Sequence, residues 1–106
     1  MSGHKYHARK TEVDGIVFDS KKEAERYRQL LLLQRAGEIT GLQIQVPYVL
    51  IEKSKYGKTI KYIADFVYRE KNGEQIVEDT KGVKTPVYRL KKRLMAEIYG
   101  IEIRET

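Results

Sequence analysis

The apolar positions of this chain fall into two kinds of run. Residues 20–36 and 87–99 repeat apolar side chains at the helical period, whereas residues 16–18, 42–52, 61–68, 75–80 and 101–104 read as strands. Asp14-Gly15 and Asn72-Gly73 are hairpin signals between such runs. The predicted order is therefore an N-terminal hairpin followed by α-β-β-β-α-β, an α/β (α+β) fold with a central mixed sheet flanked by two helices. No repeat, low-complexity segment or linker interrupts it. Residues 1–10 are polar, basic and aperiodic, and are expected to form a flexible arm ahead of a single domain, 11–106.

The ends of the helices carry their own signals. Ser20-Lys21-Lys22-Glu23 has the form of a capping box, with Gly37 placed to end the helix. On the helical wheel Glu23 shares an arc with Tyr27, Leu30, Leu31 and Gln34, toward the sheet, while Glu25 lies with Lys21 and Arg28 on the charged face. Thr85-Pro86 opens the second helix as N-cap and first helical residue. Its stripe of Val87, Leu90, Leu94 and Ile98 is expected to face the core, with Arg89, Lys92, Arg93 and Glu97 turned away. Lys91 falls inside that stripe; it either snorkels to water or reaches toward an acidic site. Thr40-Gly41 reads as a turn, and Pro47 in the following strand argues for an edge position or a bulge.

One acidic arrangement stands out against these apolar runs. Asp65 sits among Ile63, Ala64, Phe66 and Val67, and Glu78, Asp79 and Lys81 follow Ile76 and Val77 on the partner strand. Carboxylates inside apolar strands are costly unless their charge is compensated. Each could be a solvated strand end, with Asp65 paired to Lys61. Two carboxylates on partner strands, with Lys81 two residues after Asp79 and so on the same face, fit a divalent-metal site better. That site constrains the register. A two-residue Asn72-Gly73 loop would turn Asp65 away from Asp79. A three-residue loop, Lys71-Asn72-Gly73 with Gly73 left-handed, sets the two aspartates opposite one another. Glu78 then points to the other face.

Composition narrows the function classes. The 106 residues suffice for one core, and with no Cys there is no disulfide, cysteine nucleophile or thiolate metal site. The longest purely apolar run, Leu30 to Leu33, is far short of a membrane span, and no signal peptide is visible, so a soluble, cytoplasmic protein is expected. Lys and Arg number 21 against 15 Asp and Glu, a formal charge of +6 that suits a polyanionic partner, most simply nucleic acid. Lys84, Arg89, Lys92 and Arg93, around the second helix, and Lys55 and Lys58, in a loop around Gly57, are the expected phosphate contacts. His4 and His7 lie in the basic arm, where phosphate contact is a better expectation than metal binding.

Asp65, a spacer and Asp79-Thr80-Lys81, set in this order of elements, resemble the PD-(D/E)XK nuclease superfamily. More narrowly, KYHARKT, DGIVFDSKKEAERY, AGEI, YIADFVY and VEDTKG resemble a family of short phage and prophage proteins of unknown function, over nearly the whole chain. Ala64 stands where the superfamily motif has proline, a position commonly varied. The resemblance implies a restriction-endonuclease-like core and a Mg²⁺-dependent phosphodiesterase, with Mn²⁺ able to substitute. Carried over by position, Asp65 and Asp79 bind the metal, the backbone carbonyl of Thr80 adds a ligand, and Glu23 is the additional helix acid. Lys81 orients water and offsets phosphate charge, and Lys91 resembles a polar residue that the second helix aims into the site. A small domain without a separate reading module suggests recognition of DNA structure, such as a Holliday junction, by a homodimer with two sites, in a bacterial host cell. The alternative is a non-catalytic nucleic-acid-binding protein that keeps the nuclease fold.

Overall fold

In the computed structural model of the chain, which describes residues 9–81 and 83–106, Asp14 and Gly15 take left-handed φ values of 53° and 79°. That turn folds β1 (Thr11–Val13) back on β2 (Ile16–Phe18) as a two-stranded ribbon. Most of the expected basic arm, 1–10, lies outside the described residues. The next element, α1 (Lys21–Arg35), starts where Ser20 Oγ accepts from the Glu23 N–H at 3.0 Å. It ends in a Schellman motif, with Gly37 donating to the Gln34 carbonyl and Glu38 to Leu33. Ala24, Tyr27 and Leu30 are its buried apolar side chains, the arc the sequence assigned to the sheet.

Four strands form the main sheet in the order β3 (Ile39–Ile51), β4 (Ile60–Glu70), β5 (Gln75–Asp79) and β6 (Arg104–Glu105). The first two pairings are antiparallel, and β6 lies parallel to β5 after the crossover through α2 (Pro86–Tyr99), so the sheet is mixed. Pro47 lies on the edge strand β3, as a residue without an N–H requires. Two apolar cores result. Phe18, Tyr27, Leu30, Phe66 and Tyr68 meet around α1, and Leu50, Tyr62, Val67, Val77, Tyr88 and Met95 meet around α2. Among the described residues no helix is long and apolar enough to cross a membrane.

The strand ribbon exchanges faces partway along. Ile44 packs into the α1 core, but Val46 and Tyr48, which plain alternation would put on the same face, pack against the α2 core. On β4, Phe66 and Ala64 divide in the same way. The residues between are Gln45, held at a left-handed φ of 50°, and Asp65 opposite it. Asp65 thus sits where neither core covers it completely.

Three expectations need correction. Thr40-Gly41 is no turn: both residues belong to β3, and the register slips there by a bulge at left-handed Gly41. The final strand is Arg104–Glu105 rather than 101–104; Ile101 and Ile103 pack as core residues ahead of it. Of the apolar stripe of α2 only Leu94 packs against the core. Val87, Leu90 and Ile98 are 62%, 58% and 48% exposed, and the helix is rotated by about one residue so that Tyr88 and Met95 are buried instead.

Candidate active site

The β4–β5 hairpin sets the two aspartates face to face. Its ladder runs Arg69↔Gln75 to Phe66↔Glu78, so the next pair along is Asp65 and Asp79. The loop is Lys71-Asn72-Gly73 with Gly73 at φ 85°, and the Glu70 N–H donates to the Glu74 carbonyl at 3.0 Å. This is the three-residue loop that the shared site requires. Asp79 is 1% exposed. Its Oδ2 accepts from the Tyr62 hydroxyl, while its Oδ1 is buried, has no hydrogen-bond partner among the described residues and lies 3.5 Å from Lys81 Nζ. One oxygen of Asp65 accepts from the Thr80 N–H at 2.8 Å. Burial, and then the charge of Asp79, push the Asp65 carboxyl up from the ordinary carboxylate range to about 8.

Glu23 approaches from the first turn of α1. It is buried, and only half of the capping box forms: its N–H caps onto the Ser20 hydroxyl. Burial, Asp19 and Asp79 raise its pKa, and Lys81 opposes them. Glu25 is exposed and paired with Arg28 at 3.3 Å. Among the described residues no three acidic or histidine side chains are gathered into a complete metal cage. The site is a carboxylate pair with a third acid set back from it.

Lys81 is held from behind by side chains that the sequence did not single out. Its ammonium stands over the Tyr88 ring, 4.6 Å from the centroid. The Tyr88 hydroxyl donates to Glu105 at 2.7 Å, and Glu105 also receives Lys84 at 2.9 Å and Lys92 at 3.1 Å. These partners hold the Glu105 carboxyl down at about 2, the tyrosine hydrogen bond contributing most. Two of the lysines expected on DNA, Lys84 and Lys92, thus pair with Glu105 while staying largely exposed. Arg89 makes no ion pair among the described residues, and Arg93 reaches Glu97 at 3.7 Å. Lys55 and Lys58 lie exposed in the loop between β3 and β4. Half-buried Lys91 makes no ion pair or hydrogen bond with Asp65, Asp79 or Glu23.

Glu78 does face away, as its strand position requires. It is fully buried, and accepts two hydrogen bonds from Arg26, at 2.6 and 2.9 Å, and one from the Tyr68 hydroxyl. This fork ties α1 to β5 one turn beyond Glu23 and so sets where that acid stands. Its only sequence trace was an acid at a core position of β5. Tyr62 left none, because plain alternation puts it on the face away from Asp65 and Asp79, and only the face exchange at Asp65 brings it beside Asp79.

No curated protein and no solved structure matches the chain. A family model does, over residues 3–106, nearly its full length, and the chain belongs to the family described as Protein of unknown function (DUF1064).

Proposed function

We propose that the chain is a metal-dependent endodeoxyribonuclease of the PD-(D/E)XK kind, hydrolysing phosphodiester bonds in branched or junction DNA during phage DNA processing in the host cytoplasm. The observation that carries this reading is Oδ1 of Asp79: a buried carboxylate oxygen with no hydrogen-bond partner among the described residues, beside a second carboxylate and met only by the Lys81 ammonium at 3.5 Å. Such an oxygen is costly unless a cation completes it. The donors at hand, Asp65, Asp79 and the Thr80 carbonyl, are all hard oxygens. They suit Mg²⁺, with Mn²⁺ able to replace it, and two carboxylates suffice for an ion that keeps several waters. When bound, the ion would lower the pKa of a water and offset charge on the phosphate.

The chain's own groups do the rest. Tyr62 occupies one oxygen of Asp79 and leaves the other presented to the site. Lys81, fixed between Asp79 and Tyr88, donates to the attacking water or to a non-bridging phosphate oxygen. Glu23, whose pKa is raised, stands at the rim as a third acid for a water-bridged contact. The charge of +6 favours the polyanionic substrate, and a homodimer would set two sites on two strands.

The test is a cleavage panel of duplex, single-stranded, flap and four-way DNA with Mg²⁺ and with Mn²⁺. Metal-dependent cuts that disappear in Lys81→Met are expected. Binding to these DNAs without any cleavage would favour the non-catalytic nucleic-acid-binding reading.

A further inference from the structure

Beside the acidic pair lies a second feature that the catalytic reading does not use. A groove of about 500 Å³ runs between the first two turns of α1 and the end of β5, lined by Lys21, Lys22, Arg26, Gln29, Thr80 and Thr106, and by Glu25, which Arg28 takes up. Thr80 belongs at once to this groove and to the site, since its N–H holds Asp65. Lys22 Nζ lies 3.4 Å from the Lys81 carbonyl, at the junction of the two. The Thr80 and Thr106 hydroxyls meet at 3.0 Å on its β side.

We infer that this groove holds one or two nucleotides of an unpaired DNA strand beside the scissile phosphate, with Lys21 and Lys22 on the strand's phosphates. The inference rests on the nuclease reading and narrows its substrate to DNA with a single-stranded segment at the cut. Three observations carry it. The volume lies within the range that admits a small ligand. Lys21 and Lys22 are exposed and make no ion pair among the described residues, whereas Lys84 and Lys92 on the other side of the site are engaged by Glu105. Both groove lysines also occupy the first turn of α1, where positive charge opposes the helix dipole. Local stability argues against them there; a polyanionic strand argues for them. The aliphatic stems of these side chains give sugars and bases an apolar wall.

The experiment measures binding of a labelled 12-nucleotide single strand, and of its duplex, by anisotropy in Ca²⁺ over a range of salt. The proteins compared are the parent, Lys21→Ala/Lys22→Ala, and a charge-matched Arg35→Ala/Lys71→Ala control, with one change in the last turn of α1 and one in the β4–β5 loop beside Glu38. The groove variant should lose single-strand affinity, and its log-affinity against log-salt slope should flatten by about 0.7 for each phosphate no longer neutralised, about 1.4 for the two lysines together. Its melting temperature should not fall, because two unfavourable charges leave the helix start. The control should keep the parental slope. A parental slope in the groove variant, or a duplex bound more tightly than the strand by the parent, overturns the inference. Cleavage by the parent alongside an unchanged slope would sink the groove and spare the nuclease. A flattened slope in a protein that never cleaves would do the reverse.

Discussion

Asp65 and Asp79 face one another, yet their surroundings differ. Asp79 is enclosed and shares one oxygen with Tyr62; Asp65 sits at the face exchange, holds the Thr80 N–H, and is raised to about 8 by burial and by Asp79. A carboxyl whose pKa is higher folded than unfolded favours the fold most below its unfolded value and loses that contribution as pH rises through the folded value. The metal-free protein should therefore melt at progressively lower temperature between about pH 4 and pH 8. Asp65→Asn should flatten that slope, and saturating Mg²⁺ should restore the parent at pH 8. Glu105 has the opposite sign, but with its carboxyl held at about 2 its window lies below this one. Thermal melts in EDTA against pH give the answer, and a parental melting temperature that does not fall across the window would refute the crowded pair. Glu23 and Glu25 offer a second contrast. Glu23→Gln should reduce cleavage at least tenfold and Glu25→Gln should leave it near the parental rate, read from single-turnover cleavage; equal rates would leave Glu23 as a helix-start residue only.

The elements explain why some of the site was legible in the sequence and some was not. Asp65, Asp79 and Lys81 could be read because a hairpin loop of three residues fixes one register, and spacing two fixes one face. Glu23 was legible from the wheel of α1, whose buried arc is the expected one. The wheel of α2 misled. Its apolar arc is real, but Tyr88, held through Glu105 and over Lys81, and fully buried Met95 set the rotation of the helix instead. Those are contacts across β6 and β5, which no periodicity within the helix reports. The same contacts make a prediction. Glu105→Gln should loosen Tyr88 and lower turnover several-fold while Mn²⁺ affinity stays parental, because neither residue touches the carboxylate pair; a matching loss of Mn²⁺ affinity would argue against a role through Lys81. The Arg26–Glu78 fork is a stability matter. Arg26→Met leaves a fully buried carboxylate unpaired and should cost about 3–5 kcal/mol in denaturant unfolding, whereas Arg28→Met, in an exposed pair, should cost less than about 1 kcal/mol.

Over the whole molecule, charge and architecture divide the work. The mixed sheet carries Asp65 on β4 opposite Asp79 at the end of β5, α1 brings Glu23 and two lysines without an ion pair among the described residues to one side, and α2 with β6 braces Lys81 from the other. Net positive charge was readable from composition, but which lysines are ion-paired was not, because Lys84 and Lys92 meet an acid at the far end of the chain. The central claim is that Asp79 holds a cation and Lys81 serves the chemistry beside it. Calorimetric Mn²⁺ titration run beside single-turnover DNA cleavage separates the two, on the parent, Asp79→Asn and Lys81→Met. Asp79→Asn should lose both Mn²⁺ affinity and cleavage while remaining folded. Lys81→Met should keep or raise Mn²⁺ affinity, since an ammonium 3.5 Å from Oδ1 competes with the ion, and should lose turnover by about three orders of magnitude. Parental cleavage by Lys81→Met, or parental Mn²⁺ affinity in Asp79→Asn, would contradict the account.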